Sequence, residues 1–390
     1  MNAVVSVREI GKGGALKITI VLGPFQALPP VGYGAVEKVW YEFAKEFSSL
    51  GHSVILIGKC ETVEDISRDS SGVQIVPLRG FSATGRLWVD LLKDFFYALD
   101  VRQQIEPSDI IVTNTFWTPT LLSLSARHLG RIVVHVARFP KGQMWLYRGA
   151  DALQAISSAV AREIVRQSPS LQTKVRVLPY PVDLQTYHPP NVARRYDGDL
   201  TVLYAGRIHP EKGVDLLVAS FHQVLLHAPK ARLRIVGPSA IERGGGGEIY
   251  LNGLKKAASG LPVDFIGPIS DPASLALEYQ NAHCFCYPSL AEKGEAFGLA
   301  ALEAMAAGLP VVVSDLACFR DFIEPGHNGL IFDHRAAESR LALGMLLGQT
   351  LADEDFAIQL GRNAAKKANE FALKTVAQRY LDMFSVILGH

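Results

Sequence analysis

The sequence predicts an α/β protein built from two doubly wound domains, each with a parallel sheet. Short apolar runs rich in β-branched residues alternate with helical stretches, which is the rhythm of βαβ units. That rhythm stops at a polar, proline-bearing segment, residues 185–198, and restarts at residue 200. A chain of 390 residues with 48% hydrophobic content is long enough to bury two separate cores.

The first series of predicted elements precedes the polar segment. Its strands are expected at residues 17–22, 54–57, 109–113, 132–136 and 153–156, and its helices at 35–50, 119–129 and 157–167. The second series has strands at 200–204, 233–236, 263–266, 283–287 and 311–313, and helices at 214–226 and 299–307. Ligands of open sheets bind beyond the carboxyl ends of strands, so functional residues are expected in the loops that follow them.

Residues 294–305 are the segment most informative about chemistry. They read GEAFGLAALEAM, with Glu295 and Glu303 on either side of Gly298. An apolar strand precedes this loop and a run of helix formers follows it, so a helix is predicted to begin near Gly298. Its free NH groups and the positive end of its dipole would face whatever lies beyond the strand, where a diphosphate fits.

The spacing of the two glutamates argues against a glycosidase. Eight residues at the helical rise span at most about 12 Å, wider than the roughly 5 to 9.5 Å between the two carboxylates of a glycosidase. Glu295 and Glu303 are therefore predicted to hold two ends of one long ligand.

A second cluster, LYAGRIHPEKG at residues 203–213, follows a predicted strand and precedes a helix. It places Arg207 and Lys212 at a strand-to-helix turn. A planar guanidinium and a compact ammonium suit two phosphate groups with charge developing on a leaving oxygen. A solvated turn with surface ion pairs is the alternative, but the glutamate segment in the same chain favours phosphate binding.

These segments together resemble the retaining nucleotide-sugar glycosyltransferases of family 4, whose fold is called GT-B. The resemblance covers nearly the whole chain. Residues 32–34, Gly-Tyr-Gly, resemble the N-terminal glycine loop of the family, and residues 50–54, LGHSV, resemble its turn into the second strand. The resemblance implies two Rossmann-like domains that face each other across a cleft.

The same resemblance implies a role for each domain. Residues 1–184 would form an acceptor-binding domain and residues 185–370 a nucleotide-sugar-binding domain. Residues 371–390 carry apolar side chains at helical spacing and would form a helix that crosses back to the first domain.

The resemblance also assigns site residues by position. Arg207 and Lys212 fall on the diphosphate-binding pair, Glu295 on the contact with the donor sugar, and Glu303 on the contact with the ribose diol. The expected catalytic residues are Arg207, Lys212, Glu295 and His135. The expected donor-binding residues are Gly32, Gly34, Gly237, Ala296, Phe297, Gly298, Leu299 and Glu303. The candidates on the acceptor side are Asn114, Trp117 and Arg138.

His135 is the least regular of these assignments. The family often carries a histidine after the strand that corresponds to residues 132–136, whereas here His135 lies within that predicted strand. A satisfied core histidine is therefore an equal alternative to a catalytic one.

The implied activity is transfer of a sugar, with retention, from a nucleoside diphosphate to a hydroxyl of a glycan or lipid-linked acceptor, as in polysaccharide biosynthesis. A nucleotide-sugar epimerase or phosphorylase of the same fold, or a non-catalytic sugar-nucleotide-binding protein, remains an alternative. A dinucleotide oxidoreductase is disfavoured because residues 32–37, GYGAVE, lack the third glycine of that fingerprint.

Composition narrows the partners and the setting. The 39 basic and 38 acidic residues give no global charge that would favour nucleic acid. No metal and no cofactor is expected, because the two cations and the helix end already supply positive charge to the diphosphate and the four cysteines are scattered. The opening residues lack the hydrophobic core of a signal peptide and no apolar run would span a bilayer, so a cytoplasmic location is expected.

Two further segments admit alternatives. Arg79, Arg86 and Lys93, interleaved with large apolar residues up to Phe96, predict either an ordinary helix with a solvated face or a basic amphipathic surface resting on anionic lipid at the inner membrane face. Residues 244–247 are four glycines, which predict a disordered surface connection or a mobile loop that closes over the donor.

Overall fold

A computed structural model describes residues 14–30, 35–60, 72–125, 127–192, 194 and 196–389. Contacts divide the chain into two units. Unit 1 comprises Met1–Ala155, Ala161–Leu178 and Leu373–His390, and unit 2 comprises Ile156–Val160 and Pro179–Ala372. Each unit contains a parallel sheet flanked by helices, so the predicted α/β class is confirmed.

The strands of unit 1 are parallel throughout. Within the described residues they are Lys17–Val21 (β1), Ser53–Lys59 (β2), Gln74–Leu78 (β3), Ile110–Thr113 (β4), Arg131–Val136 (β5), Ala152–Ala155 (β6) and Val175–Val177 (β7). Their order in the sheet is β3-β2-β1-β4-β5-β6-β7. The sequence predicts five of them. It misses β3 and β7, which lie at the sheet edges, because β3 contains Pro77 and β7 has three residues.

The sheet of unit 2 is also parallel. Its strands in the described part of the chain are Leu200–Ala205 (β8), Ala231–Val236 (β9), Val263–Gly267 (β10), Cys284–Tyr287 (β11), Val311–Ser314 (β12) and Leu330–Phe332 (β13). Their order is β10-β9-β8-β11-β12-β13. The sequence predicts all but the short edge strand β13.

Helices connect most of these strands. They are Ala35–Ser49 (α1), Leu87–Gln104 (α2), Thr118–Ser125 (α3), Ser158–Gln167 (α4), Val214–His227 (α5), Gly247–Ala257 (α6), Pro272–Asn281 (α7), Leu299–Ala306 (α8), Ser339–Ala352 (α9), Glu354–Ala368 (α10) and Leu373–Leu388 (α11).

Each sheet has one point where the strand order reverses. The chain runs from β1 outward to β3 and then returns to place β4 on the other side of β1. In unit 2 it runs from β8 outward to β10 and then returns to place β11 beside β8. Because crossovers leave this point in opposite directions, a crevice forms beyond the carboxyl ends of the two central strands. The loops after β8 and β11 are therefore neighbours.

The final helix, α11, packs on α1 of unit 1. Tyr380 lies with its ring centroid 5.3 Å from that of Trp40 and 4.8 Å from that of Phe43, and all three side chains are buried. The apolar residues that the sequence places on one face of this helix thus enter the core of unit 1.

The division between the units differs from the expected one. It falls after Leu178 rather than after residue 184, and the polar segment at residues 185–198 belongs to unit 2. Arg194 explains part of this, because its guanidinium donates to the carbonyls of Ala307 and Gly308 at the end of α8. Those carbonyls have no partner within their own helix, so the arginine satisfies them and ties the segment to unit 2.

Candidate active site

The loops after β8 and β11 bring together the residues that the sequence singled out in unit 2. Arg207 and Lys212 follow β8, and Glu295, Gly298 and Glu303 follow β11. Lys212 ends a 3-10 turn, Pro210–Lys212, and Gly213 follows it in the left-handed region with φ +67°. A Cβ at Gly213 would lie 2.1 Å from the carbonyl oxygen of Pro288, so glycine permits the two loops to touch.

Lys212 and Glu295 form a buried ion pair. The Nζ of Lys212 donates to Oε2 of Glu295 across 2.7 Å, and the two side chains are 6% and 9% exposed. The same ammonium lies 5.5 Å from the centroid of the Tyr287 ring. The pair fixes the loop after β11 against the turn after β8, because two buried charges are stable only when they meet.

Arg207 is held by two acceptors and remains accessible. It donates to Oε1 of Glu211 across 2.6 Å and to the carbonyl of Gly244 across 2.7 Å, while 41% of its side chain is exposed. The fork of the guanidinium is thus oriented but not covered, as an anion-binding arginine requires.

The four glycines at residues 244–247 form an ordered turn, which overturns the expectation of a disordered connection. Their NH groups donate to the carbonyls of Ile241, Ala240, Ile208 and Ser239. Gly244 has φ +74° and Gly247 has φ +82°, conformations that other residues rarely adopt. The turn leads directly into α6 and presents the carbonyl that holds Arg207.

Gly298 begins α8, as the sequence predicts. Its φ is +88°, and a Cβ there would lie 2.3 Å from Cε1 of Phe319, so only glycine fits this turn. The first turn of α8 contains no acidic residue, and no side chain among the described residues caps it. The NH groups of Leu299 and Ala300 precede the first NH that bonds within the turn, that of Ala301.

The neighbours of Gly298 differ in their exposure. Phe297 is buried, with its ring 5.9 Å from that of Tyr180 and 5.5 Å from that of Phe322, so its side chain belongs to the core. Ala296 and Leu299 are half-buried. Any contribution of Phe297 to a ligand would come from its backbone.

Glu303 lies one turn into α8 and is half-buried. Its Oε2 accepts a hydrogen bond from the phenol of Tyr279 across 3.0 Å. Burial raises the pKa of this carboxyl to about 7, although the hydrogen bond from Tyr279 acts in the opposite direction. The two glutamates of the motif therefore face different partners: Lys212 for Glu295 and Tyr279 for Glu303.

Gly237 follows β9 directly and lies beside the same crevice. It has φ +147°, and a Cβ there would lie 1.8 Å from the carbonyl oxygen of Gly206. The backbones after β8 and β9 therefore approach more closely than any side chain would allow. Gly237 can offer a ligand only its backbone.

The candidates in unit 1 are more scattered. Asn114 and Trp117 follow β4 beside the reversal of the strand order, and Arg138 follows β5 and is exposed. The indole NH of Trp117 donates to the carbonyl of Leu91, whereas the buried Oδ1 of Asn114 has no hydrogen-bond partner among the described residues. Gly32 and Gly34 lie outside the described residues.

His135 lies in the core of unit 1, and its geometry is that of a structural histidine. It is 3% exposed, its Nδ1 is hydrogen-bonded to Gln154, and its ring meets Trp40 edge to face at 5.2 Å. Burial lowers its pKa to about 4. A neutral, enclosed imidazole within β5 does not support the expected catalytic role, because a general base must reach its substrate.

Two residues near the candidate sites were not found from the sequence. Tyr279 on α7 contacts Glu303, and Asp94 on α2 accepts from the NH groups of Phe116 and Trp117 at the start of α3. Burial raises the pKa of Asp94 to about 6. Neither lies in a motif, and the only signal in the sequence is a lone polar side chain at a buried helical position.

Neither a metal cluster nor a membrane-spanning helix is seen in the described parts of the chain. No group of three or more His, Cys, Asp or Glu side chains is placed there to hold a metal ion. None of the helices described combines the length and the apolar content needed to cross a bilayer.

Two family profiles match the chain on either side of residue 188. The profile of the glycosyl transferases group 1 covers residues 190–367, and that of Glycosyltransferase Family 4 covers residues 36–186. Residues 190–367 belong to the glycosyl transferases group 1. The resemblance seen in the motifs is thus confirmed, and the group 1 match contains the whole candidate site of unit 2.

Curated relatives of this chain include two enzymes named D-inositol 3-phosphate glycosyltransferase. The one from Nocardia farcinica is 30% identical over 261 residues, which cover 63% of this chain and 55% of the relative. The one from Kribbella flavida is 31% identical over 255 residues, which cover 62% and 57%. The chain therefore spans about half the length of the curated relatives it matches.

Solved structures show the same fold. Sucrose-phosphate synthase from Thermosynechococcus elongatus has a TM-score of 0.76 at 20% identity, with 96% of this chain and 99% of that chain covered. The Anabaena protein HepE, crystallised with UDP and glucose, has a TM-score of 0.69 at 16% identity, with 95% and 100% covered. These likenesses confirm the GT-B fold of the chain.

Proposed function

We propose that this protein is a retaining glycosyltransferase that moves a sugar from a nucleoside diphosphate to a hydroxyl of a glycan or lipid-linked acceptor. The observation that carries the proposal is the meeting of Arg207, Lys212 and the start of α8 at the strand reversal of unit 2. Membership of the glycosyl transferases group 1 supports it. The UDP and glucose bound by the neighbour HepE support a nucleoside-diphosphate sugar as the donor.

These residues are suited to stabilising the leaving group of the reaction. When the bond between the sugar C1 and the diphosphate breaks, negative charge builds on the departing oxygen. The guanidinium of Arg207, the ammonium of Lys212 and the NH groups of Leu299 and Ala300 offer preorganised positive charge to it. Because these groups are already fixed, little reorganisation is needed when the charge develops.

The acceptor hydroxyl must transfer its proton to a base during the reaction. We assign it to the leaving phosphate oxygen, so that the acceptor hydroxyl attacks C1 from the face that the diphosphate leaves and the configuration is retained. Two observations favour this over a protein base or nucleophile. Glu295 is engaged with the ammonium of Lys212, and His135 is enclosed in the core of unit 1.

The same charges make a divalent metal unnecessary in this proposal. A metal ion in other transferases neutralises the diphosphate, and Arg207, Lys212 and the dipole of α8 can do so here. We therefore propose a metal-independent reaction.

The acceptor is assigned to unit 1. Asn114 and Trp117 flank the crevice beyond β4, and Arg138 lies beyond β5. Within the described part of the chain the Oδ1 of Asn114 is buried without a hydrogen-bond partner, and such an atom is stabilised when a ligand hydroxyl donates to it. An aromatic side chain beside polar groups suits a sugar ring.

We also propose that unit 1 rests on an anionic lipid surface through α2. Four large apolar side chains of this helix, which we call the α2 surface, are more than half exposed: Leu87, Trp88, Leu92 and Phe96. Arg79 and Arg86 are exposed nearby, and Asp90, the carboxylate among them, is engaged by Thr84 and Gly85. Exposed indole and alkyl groups flanked by arginines suit the headgroup region of an anionic bilayer. This is consistent with a lipid-linked acceptor and with a location at the inner membrane face.

Binding measurements test the donor assignment first. Thermal unfolding and calorimetry with UDP, GDP, ADP and their glucose or mannose conjugates should reveal one nucleoside diphosphate that raises the melting temperature. Transfer to a glycan acceptor should follow with the same base, and the anomer of the product reports retention. Absence of binding by every nucleotide would contradict the proposal.

The remaining alternative enzyme is an epimerase or phosphorylase of the same fold. Group 1 membership does not favour it. Incubation of donor without acceptor separates the two, because an epimerase converts its substrate without a second one.

A further inference from the structure

Tyr279 is a fully buried tyrosine whose hydroxyl reaches the candidate site. It lies near the end of α7, and its phenol donates to Oε2 of Glu303 across 3.0 Å. The carbonyl of Ala300 lies 3.4 Å from the same hydroxyl. The phenol is thus aimed at the first turns of α8, where the donor is proposed to bind.

The ring of Tyr279 is fixed by its neighbours. Tyr187 meets it edge to face, with ring centroids 5.6 Å apart and an interplanar angle of 87°, and the Phe285 ring lies 5.5 Å away. All three side chains are buried. A ring held in this way places its hydroxyl in one position. The oxygen of Glu303 that accepts its hydrogen bond is therefore also held in one position.

Burial and the nearby carboxylate of Glu303 raise the pKa of Tyr279 well above that of a free phenol. The hydroxyl therefore keeps its proton and acts as a donor throughout the physiological range of pH. A phenol that stays protonated is a suitable anchor for an ionised carboxylate.

The hydrogen bond from Tyr279 gives the two carboxylate oxygens of Glu303 different roles. Tyr279 occupies Oε2, and among the described residues no other group donates to this carboxylate. Oε1 is left to accept from a ligand. Without the hydrogen bond from Tyr279, the carboxylate of Glu303 could rotate about its last side-chain bond and would lose this orientation.

We propose that Tyr279 is a positioning residue for donor binding. Its hydroxyl holds Oε2 of Glu303 so that Oε1 accepts from a hydroxyl of the nucleoside. The inference rests on the proposed function, since it assigns a nucleoside diphosphate to the site. Tyr279 itself touches no ligand in this proposal.

The test compares Tyr279→Phe with a matched control from the same aromatic cluster. Tyr279→Phe keeps the ring and its packing but removes the donor to Glu303. Tyr187→Phe removes a hydroxyl from the adjacent ring and leaves the bond to Glu303 in place. Both variants are expected to unfold within a few degrees of the parent, because the buried apolar area is unchanged.

Binding is measured at pH 8, where Glu303 is ionised, by calorimetry with the nucleoside diphosphate that the parent prefers and, separately, with inorganic pyrophosphate. Tyr279→Phe is expected to weaken the nucleoside diphosphate about fivefold to twentyfold, as loss of one hydrogen bond to a charged group does. Pyrophosphate affinity should stay within twofold of the parent, because pyrophosphate meets the cations but not Glu303. Tyr187→Phe should leave both affinities within twofold.

Kinetics and a double variant distinguish positioning from general loosening. The KM for the donor should rise by the same factor as the dissociation constant while kcat changes less than twofold, because the contact with the nucleoside is made equally before and during reaction. In a Glu303→Ala background, Tyr279→Phe should add less than twofold, since no carboxylate remains for the phenol to hold.

The outcomes separate this inference from the proposed function. If the parent binds no nucleoside diphosphate, the proposed function fails. If the parent binds one and Tyr279→Phe binds it within twofold, the positioning role is refuted while the function stands. Equal losses for pyrophosphate and nucleoside diphosphate would also refute it, because they would show a general disturbance of the site.

Discussion

The Nζ of Lys212 lies 2.7 Å from Oε2 of Glu295, and both side chains are less than a tenth exposed. A cation assigned to the leaving phosphate is therefore paired with a carboxylate assigned to the donor sugar. The pair links the turn after β8 to the loop after β11 and so holds the two halves of the proposed site together. Its burial makes each partner depend on the other for stability as well as for function.

We predict that Lys212→Ala lowers the free energy of unfolding by about 3 kcal/mol, because it leaves the Glu295 carboxylate buried without a counterion. The double variant Lys212→Met/Glu295→Leu should recover most of that loss, since neither charge remains, while sugar transfer stays abolished. Denaturant unfolding of the three proteins provides the measurement.

Arg166→Ala, which removes an exposed ion pair with Glu163, serves as the control and should change the free energy of unfolding by no more than about 0.5 kcal/mol. Equal stability of Lys212→Ala and the parent would contradict the prediction.

Arg207 should behave differently from Lys212. Its side chain is 41% exposed, so Arg207→Ala is expected to melt close to the parent. Loss of one preorganised donor to the leaving group should nevertheless remove about 2 to 4 kcal/mol of transition-state stabilisation from kcat/KM. Arg232→Ala, a change at another exposed arginine of unit 2, serves as the control and should retain full activity. Transfer by Arg207→Ala within threefold of the parent would remove Arg207 from the site.

Glu303 should lower the free energy of unfolding at alkaline pH. Its folded pKa of about 7 exceeds the ordinary 4.5, so the folded state keeps a proton that the unfolded state releases. The stabilising contribution of that proton is complete below pH 4.5 and is lost as the pH rises to 7. Glu303→Gln should therefore raise the free energy of unfolding at pH 8 by up to about 3 kcal/mol and change it little at pH 4.

Thermal unfolding at both pH values checks this, with Glu242→Gln at an exposed position as the control. Nucleoside diphosphate affinity should move in the opposite direction: Glu303→Gln should weaken it by about 1 to 3 kcal/mol through loss of a charge-assisted hydrogen bond. A variant that is less stable at pH 8 than the parent would show that Glu303 is not desolvated as described.

Sugar transfer should persist in excess chelator. Arg207, Lys212 and the start of α8 supply the positive charge that the diphosphate requires. We expect initial rates within twofold of the untreated enzyme after dialysis against EDTA. A complete loss that magnesium or manganese restores would show that the leaving-group chemistry depends on a metal.

The α2 surface should partition onto anionic vesicles. Trp88→Ser/Leu92→Ser is expected to lower the fraction that sediments with phosphatidylglycerol vesicles about tenfold, because it removes two apolar groups from the contact. Leu124→Ser, a change at an exposed leucine of α3, should leave sedimentation unchanged. Binding of the parent should also weaken as salt is added, since the arginines contribute through charge. Equal sedimentation of all three proteins would refute the lipid contact.

Local patterns in the sequence were sufficient for the sheets and for most residues of the proposed donor site. Alternation of apolar runs and helical stretches predicts ten of the strands, because burial and backbone hydrogen bonding impose a period on the chain. Gly298 at the head of α8 follows from the same kind of reasoning, since a strand, a glycine and helix formers occur in order. The exceptions are the edge strands β3, β7 and β13, which are short or carry a proline.

Long-range contacts required the tertiary structure. Lys212 and Glu295 are 83 residues apart, and they meet because the strand order places β11 beside β8. The order of strands depends on how whole units pack, so no local pattern encodes it. The sequence could not predict the partner of Glu303 either, because Tyr279 lies on a helix that carries no motif.

Burial decided the remaining assignments. His135 reads as a catalytic candidate in the sequence, but only the fold encloses its ring against Trp40 and Gln154. The four glycines at 244–247 read as a flexible loop, yet their NH groups find carbonyl partners in the surrounding turns. The sequence by itself determined which residue types stand at the ends of strands, because that is local. The tertiary structure decided which of them face each other and which are buried, because both depend on contacts between distant segments.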